Sequence, residues 1–168
     1  HDGDRLEAEP IALPKTPLHL LVVDLGCDKD TPLMLKSLQR SFPCCDDDRG
    51  RRVHKWLGEE NQRRVADAVK AVRAGDAEQL GALMTAAQKD FDRCAIPECP
   101  SQFAAPTLHA VLGDEKLAEL CWGGKGIGCG GEGSAQLVCR SKEARDRAVL
   151  YVREELGMWC CCVDVGGS

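Results

Sequence analysis

Between Gly123 and Gly133 the chain reads Gly-Gly-Lys-Gly-Ile-Gly-Cys-Gly-Gly-Glu-Gly, and Ser134-Ala135-Gln136-Leu137-Val138-Cys139 follows at once with the pattern of a strand. Glycine lacks a Cβ, so this stretch can take positive φ repeatedly and bring backbone N–H groups close to a ligand, a phosphate above all. Glycine is also the ordinary turn residue, so a flexible hairpin connection with no ligand is the competing reading. Two familiar phosphate signatures are excluded. Lys125 is followed by Gly126 and not by Ser or Thr, which rules out a P-loop. Gly128, Gly130 and Gly133 satisfy G-x-G-x-x-G, but a dinucleotide site needs that string to open a helix, and a strand follows here.

A chain of 168 residues can bury one sizeable core and is read as one domain, residues 18–168, behind a leader or linker at 1–17. The net charge of −5 comes with no basic stripe, which argues against nucleic acid as a partner. No apolar run approaches the length of a membrane span and no secretory h-region opens the chain, so no membrane partner is expected. The first residues are His1-Asp2-Gly3-Asp4, so an upstream segment is expected. The 11 cysteines include the adjacent runs Cys44-Cys45 and Cys160-Cys161-Cys162, which are poorly placed to bridge each other, and no C-x-x-C occurs. Reduced thiols in a cytoplasmic protein are the preferred account, with a Cys94–Cys99 bridge left open and no metal site expected.

The nearly continuous apolar run Leu18–Leu25, ended by Gly26, predicts a strand buried on both faces. Asp30 or Thr31 can cap a helix with Pro32 in first position and Met34, Leu35, Leu38 and Phe42 at helical spacing. Residues 43–54 read as a surface loop with a solvated acidic tip. A helix over 60–73, with Val65, Val69 and Val72 on one side, is stopped by Gly75. Asp76 and Gln79 resemble a capping box, and Leu80, Leu83, Met84, Ala87 and Phe91 form a stripe that makes the next helix the firmest in the chain. Beyond Pro97, Pro100 and Pro106 a shorter helix carries Leu108, Val111 and Leu112, with His109 on its edge. Ser141 caps a last helix through Ala144, Ala148, Val152 and Leu156, and Met158–Val165 closes the chain as a strand. The order suits an α+β fold close to a split βαβ plan.

Leu80-Gly81-Ala82-Leu83-Met84-Thr85-Ala86-Ala87-Gln88, then Ala105-Pro106-Thr107-Leu108-His109, then the glycine stretch with Ser134-Ala135-Gln136, together resemble the C-terminal half of a GHMP-type small-molecule kinase. That family includes galactokinase, homoserine kinase and mevalonate kinase. The strand ending in Asp24, with Lys29-Asp30-Thr31 heading the next helix, is similar to the first strand and helix of the same half, so the resemblance covers about residues 18–165. It implies a ferredoxin-like antiparallel sheet with helices packed on one face. It further implies an ATP-dependent kinase acting, with Mg²⁺, on a hydroxyl of a small metabolite such as a sugar or sugar-like alcohol.

By the resemblance, the glycine stretch stands at the family's third motif, so Gly124, Lys125, Gly126, Gly128, Gly130, Gly131, Gly133 and Ser134 would hold the phosphates. Asp24, Lys29, Thr31 and Gln88 are the candidates for the acceptor side. Ordinary local roles compete with these: a strand-end turn for Asp24, a helix cap for Thr31, a surface helix position for Gln88. The departures carry weight too. The usual motif has threonine or serine before a glycine-alanine-glycine cluster, and Glu132 here puts a carboxylate where phosphate charge should lie. Nothing resembles the family's Pro-x-x-x-Gly-Leu-Ser-Ser-Ser phosphate loop, so no catalytic residue is assigned, and the chain alone is expected to be inactive without an N-terminal half supplied in cis or in trans. The alternative is a non-catalytic ferredoxin-like module that binds a ligand or another protein.

Overall fold

The computed structural model describes residues 10–42, 47–128 and 130–167. The polar leader at 1–9, Cys44-Cys45-Asp46 and Cys129 lie outside the described residues.

The apolar run at Leu18 forms β1 (Leu18–Asp24), and its two faces are both put to use. Leu21 and Val23 point into one apolar cluster with Leu108, Val111 and Val152, while Leu18 and Leu20 point into another with Ala71, Leu80 and Met84. Such fully buried aliphatic side chains are each worth roughly 1.5–3 kcal/mol relative to exposure. Around β1 stands a four-stranded antiparallel sheet with β2 (Cys121–Gly126), β3 (Ser134–Cys139) and β4 (Cys160–Val165) in the order β2-β3-β1-β4. That is the split βαβ order, and the expected α+β, ferredoxin-like antiparallel sheet is present. The register sets Val23 opposite Ala135 and Asp24 opposite Ser134.

Between β1 and β2 run α1 (Thr31–Gln39), α2 (Asp48–Lys55), α3 (Asn61–Ala74), α4 (Ala77–Ala95), α5 (Pro100–Phe103), α6 (Pro106–Leu112) and α7 (Glu115–Leu120); α8 (Lys142–Glu154) joins β3 to β4. The helices α6, α7 and α8 cover one face of the sheet, and the inserted α3 and α4 cover the other, so the helices are shared between both faces instead of gathered on one. The reason lies in β1 and β3, which carry apolar residues of both parities: Leu137 faces one cluster and Val138 the other. A third cluster, Met34, Ala95, Cys99 and Phe103, ties α1 to the end of α4.

Local signals place most helix ends where expected. Asp76 accepts the Gln79 amide at 2.9 Å, Ser141 accepts that of Ala144 at 3.1 Å, and Gly75 closes α3 with φ of 67°. At α1 the cap is Asp30, which accepts from Leu33, so Thr31 is the first helical residue and Pro32 the second. Residues 48–55, expected as loop, are helical: Asp47 accepts the Gly50 amide and Val53 is buried, while the charged surface of the segment hides any apolar period. In α3 the buried side passes through Ala71, flanked by Ala68 and Val72, and Val65 is exposed, a rotation of the expected face set by packing against α4. Gly123–Gly126, expected as part of a loop, are strand, so the loop proper is Ile127–Gly133.

Candidate functional site

Glycine disfavours a strand interior, yet β2 holds three of them on the edge of the sheet. What sustains it is α4. Gly81 lets the helix close on the strand: a Cβ there would meet the Trp122 Cβ at 2.6 Å and the Trp122 carbonyl carbon at 2.7 Å. Thr85 Oγ1 then accepts the Gly124 amide at 3.3 Å, and Gln88 Oε1 accepts the Gly126 amide at 2.8 Å. Two side chains of the helix thus satisfy N–H groups that an edge strand would leave open. Gln88 is buried and also donates to Asp92 at 2.8 Å, so it is not a surface residue, and its amide is engaged within the fold. The amides of Gly124 and Gly126 are likewise engaged within the fold. Lys125 donates from Nζ to the Gly126 carbonyl at 2.6 Å, and burial holds its ammonium below the usual lysine range.

Within the loop, Gly130 and Gly131 are buried. A Cβ on Gly130 would lie 2.0 Å from the Phe91 ring, and one on Gly131 would lie 2.6 Å from both the Gln102 carbonyl oxygen and Met34. Their glycine character is explained by packing onto α4 and α5. Gly128 is exposed with open space around it, at φ of 69°. Gly133 sits at φ of 138° under Lys29, whose Nζ would be 2.9 Å from a Cβ there. The Glu132 carboxylate turns inward, accepting the Thr107 amide at 2.8 Å and the Leu108 amide at 3.2 Å. A carboxylate at these N-terminal amides of α6 caps that helix from 25 residues away. It is therefore a loop anchor, with its charge already partnered by backbone donors.

The end of β1 meets the same loop. Leu25 donates to the Gly133 carbonyl at 2.9 Å, Ile127 donates to that of Ser134 at 3.0 Å, and Asp24, paired in register with Ser134, accepts the Gly26 amide at 3.0 Å. Asp30 heads α1 nearby, its own amide donated to Gln102. The fold thus gathers Asp24, Lys29, Thr31, Gly133 and Ser134 at one end of the sheet, with Gly128 exposed on the adjoining loop. Lys29 has no ion-pair partner among the described residues. Gln88 and the strand residues Gly124, Lys125 and Gly126 lie outside that group. No cluster of metal-ligating side chains stands among the described residues. A concavity of about 510 Å³ opens between α4, α6 and α7 over β2, where His109 Nε2 lies 3.4 Å from Asp92 Oδ1. Sequence reasoning missed the roles of Thr85 and Gln102 and the inward turn of Glu132, because each rests on a partner far along the chain.

The comparison with solved structures returns small-molecule kinases that share this α+β fold over most of the chain. Mevalonate kinase from L. major, solved with R-mevalonate, is similar over 95% of this chain and 46% of its own, with 20% identity and a TM-score of 0.66. Galactokinase from Lactococcus lactis, solved with galactose, is similar over 94% and 46%, with 14% identity and a TM-score of 0.59. Streptococcus pneumoniae phosphomevalonate kinase is similar over 90% and 42%, with 14% identity and a TM-score of 0.63. The chain spans less than half the length of each. No protein-family model matches the sequence, and no curated protein matches it.

Proposed function

We propose that this chain is the C-terminal half of an ATP-dependent kinase that phosphorylates a hydroxyl of a small metabolite, a sugar or sugar-like alcohol being the preferred class. The observation that carries the reading is the β2–β3 loop of a GHMP-type fold with a cation poised on it: Lys29 lies over Gly133, beside Ser134 and the end of β1. Of the glycine stretch, Gly128 and Gly133, with Ser134 and Lys29, are the residues of this chain that would meet phosphate oxygens. Gly124, Lys125, Gly126, Gly130 and Gly131 shape the hairpin that presents them. ATP and Mg²⁺ fit this half only in part, since the described residues offer one cation and a loop but no carboxylate cluster for the metal. Bound ATP would supply the phosphoryl group; Asp24 and Thr31 stand where the acceptor would approach.

Phosphoryl transfer depends on positioning and on charge stabilisation from all sides of the phosphate, so one wall of the cleft is inactive by itself. The N-terminal half, in cis or in trans, is the partner in this reading, and the cytoplasm, where thiols stay reduced, is the compartment. The test is a titration with Mg-ATP of the chain alone and with a GHMP-type N-terminal half in trans, following ADP release with a panel of galactose, mevalonate and homoserine. ADP release only with both halves present is the expected result. A well-folded chain that gives neither nucleotide binding nor turnover in either arrangement would overturn the kinase reading. The inward Glu132 and the engaged Gly124 and Gly126 amides would then favour a non-catalytic module.

A further inference from the structure

At the far end of the β2–β3 hairpin from its loop, Cys121 and Cys139 stand directly opposite each other. Both are free thiols, both are buried, and their Sγ atoms lie 3.8 Å apart. The flanking bond runs from the Arg140 amide to the Leu120 carbonyl at 2.9 Å, so this is a non-hydrogen-bonded pair of the antiparallel ladder. In such pairs the Cα atoms approach to about 4.5 Å, within the roughly 4.4–6.8 Å range that a disulfide spans. The sulfurs need only close the remaining gap, which rotation about χ1 supplies, and the bulge at Trp122 gives the strand local slack. Access is asymmetric. Cys121 lines the 510 Å³ cavity, whereas Cys139 lies behind it with 1% of its surface exposed.

We propose that Cys121 and Cys139 form a redox-active dithiol, which hydrogen peroxide entering through that cavity converts to a cross-strand disulfide clamping β2 to β3. In the first step the Cys121 sulfur attacks the peroxide oxygen, the O–O bond breaks, and Cys121 sulfenic acid forms with loss of one water. In the second, the Cys139 sulfur attacks the Cys121 sulfur, the S–O bond breaks, and the disulfide forms with loss of a second water. Two thiols are oxidised and one peroxide is reduced to two waters. Either thiol can donate to the other across the 3.8 Å gap, so the access alone assigns the attacking role to Cys121 and the resolving role to Cys139.

The experiment exposes the folded 168-residue chain to graded hydrogen peroxide, alkylates the remaining thiols after denaturation, and maps tryptic peptides without reduction. The Cys129→Ser chain is used alongside, because Cys129 shares a tryptic peptide with Cys139. Expected is a link between peptides Leu117–Lys125 and Gly126–Arg140 that dithiothreitol reverses and that persists in Cys129→Ser. In Cys139→Ser, Cys121 should stop at a sulfenic acid that dimedone traps; in Cys121→Ser, Cys139 should stay reduced. Cys121 and Cys139 both fully alkylated in the wild-type chain, at doses that have already oxidised the exposed Cys162, would overturn the proposal. That result needs no variant to fold.

Discussion

Replacing Glu132 by alanine is the sharpest test of how the glycine loop is held. Its carboxylate accepts two backbone amides, Thr107 at 2.8 Å and Leu108 at 3.2 Å, at a helix entry where Ala105 takes φ of 42° and offers no side-chain cap. Losing a side-chain cap costs about 0.5–2 kcal/mol, and hydrogen bonds to a charged acceptor lie at the upper end of the scale. The site is half-buried, so water can reach part of what is vacated, and the two amides together set an expected loss of about 1–3 kcal/mol. For a chain of this size that lowers the thermal midpoint by about 3–10 °C. Glutamine keeps one carbonyl acceptor and loses the charge, so Glu132→Gln should lose less than half as much. Urea unfolding followed by circular dichroism reads the difference, and amide exchange at Thr107 and Leu108 should quicken in Glu132→Ala. A Glu132→Ala chain within about 0.3 kcal/mol of the parent, with those amides unchanged, would refute the anchor and return Glu132 to a free carboxylate beside the loop.

Gly81→Ala should destabilise despite the roughly 1 kcal/mol that alanine gains over glycine in a helix, because the new Cβ meets backbone of Trp122 and Gly123 within 3 Å; a net loss of at least about 1 kcal/mol in urea is expected. Lys29→Ala should leave the far-ultraviolet spectrum unchanged and weaken Mg-ATP binding by the two-half assembly about tenfold, the loss of one charge-assisted contact; an unchanged affinity would end the role given to Lys29. Asp164 is held below the usual carboxylate range by the hydrogen bond with His19 and by Arg145. Its contribution is therefore present above the unfolded value of about 3.9 and lost as the pH falls through the lower folded value. Asp164→Asn should accordingly be less stable than the parent at pH 7, with the gap closing in urea titrations toward pH 2; a gap independent of pH would count against the pair.

Much of the frame is written in neighbouring residues. The apolar run of β1, the stripe Leu80–Phe91 on α4, the caps at Asp76 and Ser141 and the αL stop at Gly75 each depend on contacts within a few positions along the chain, so spacing alone discloses them. The glycine stretch likewise marks the β2–β3 connection. What spacing cannot disclose is where that stretch stops being loop. Gly123–Gly126 become strand because Thr85 and Gln88 meet them, Gln88 from 38 positions away, and Glu132 turns from a presumed obstacle to phosphate into a helix cap through donors 24 and 25 positions upstream. Asp48–Lys55 escaped notice for the related reason that a charged helix with one buried apolar residue, Val53, carries no period. Helix and strand are local preferences and so were legible in the residues. Which amides remain free for a ligand, and which thiols face each other across the sheet, depend on long-range hydrogen bonds and register, and those exist only once the chain has closed on itself.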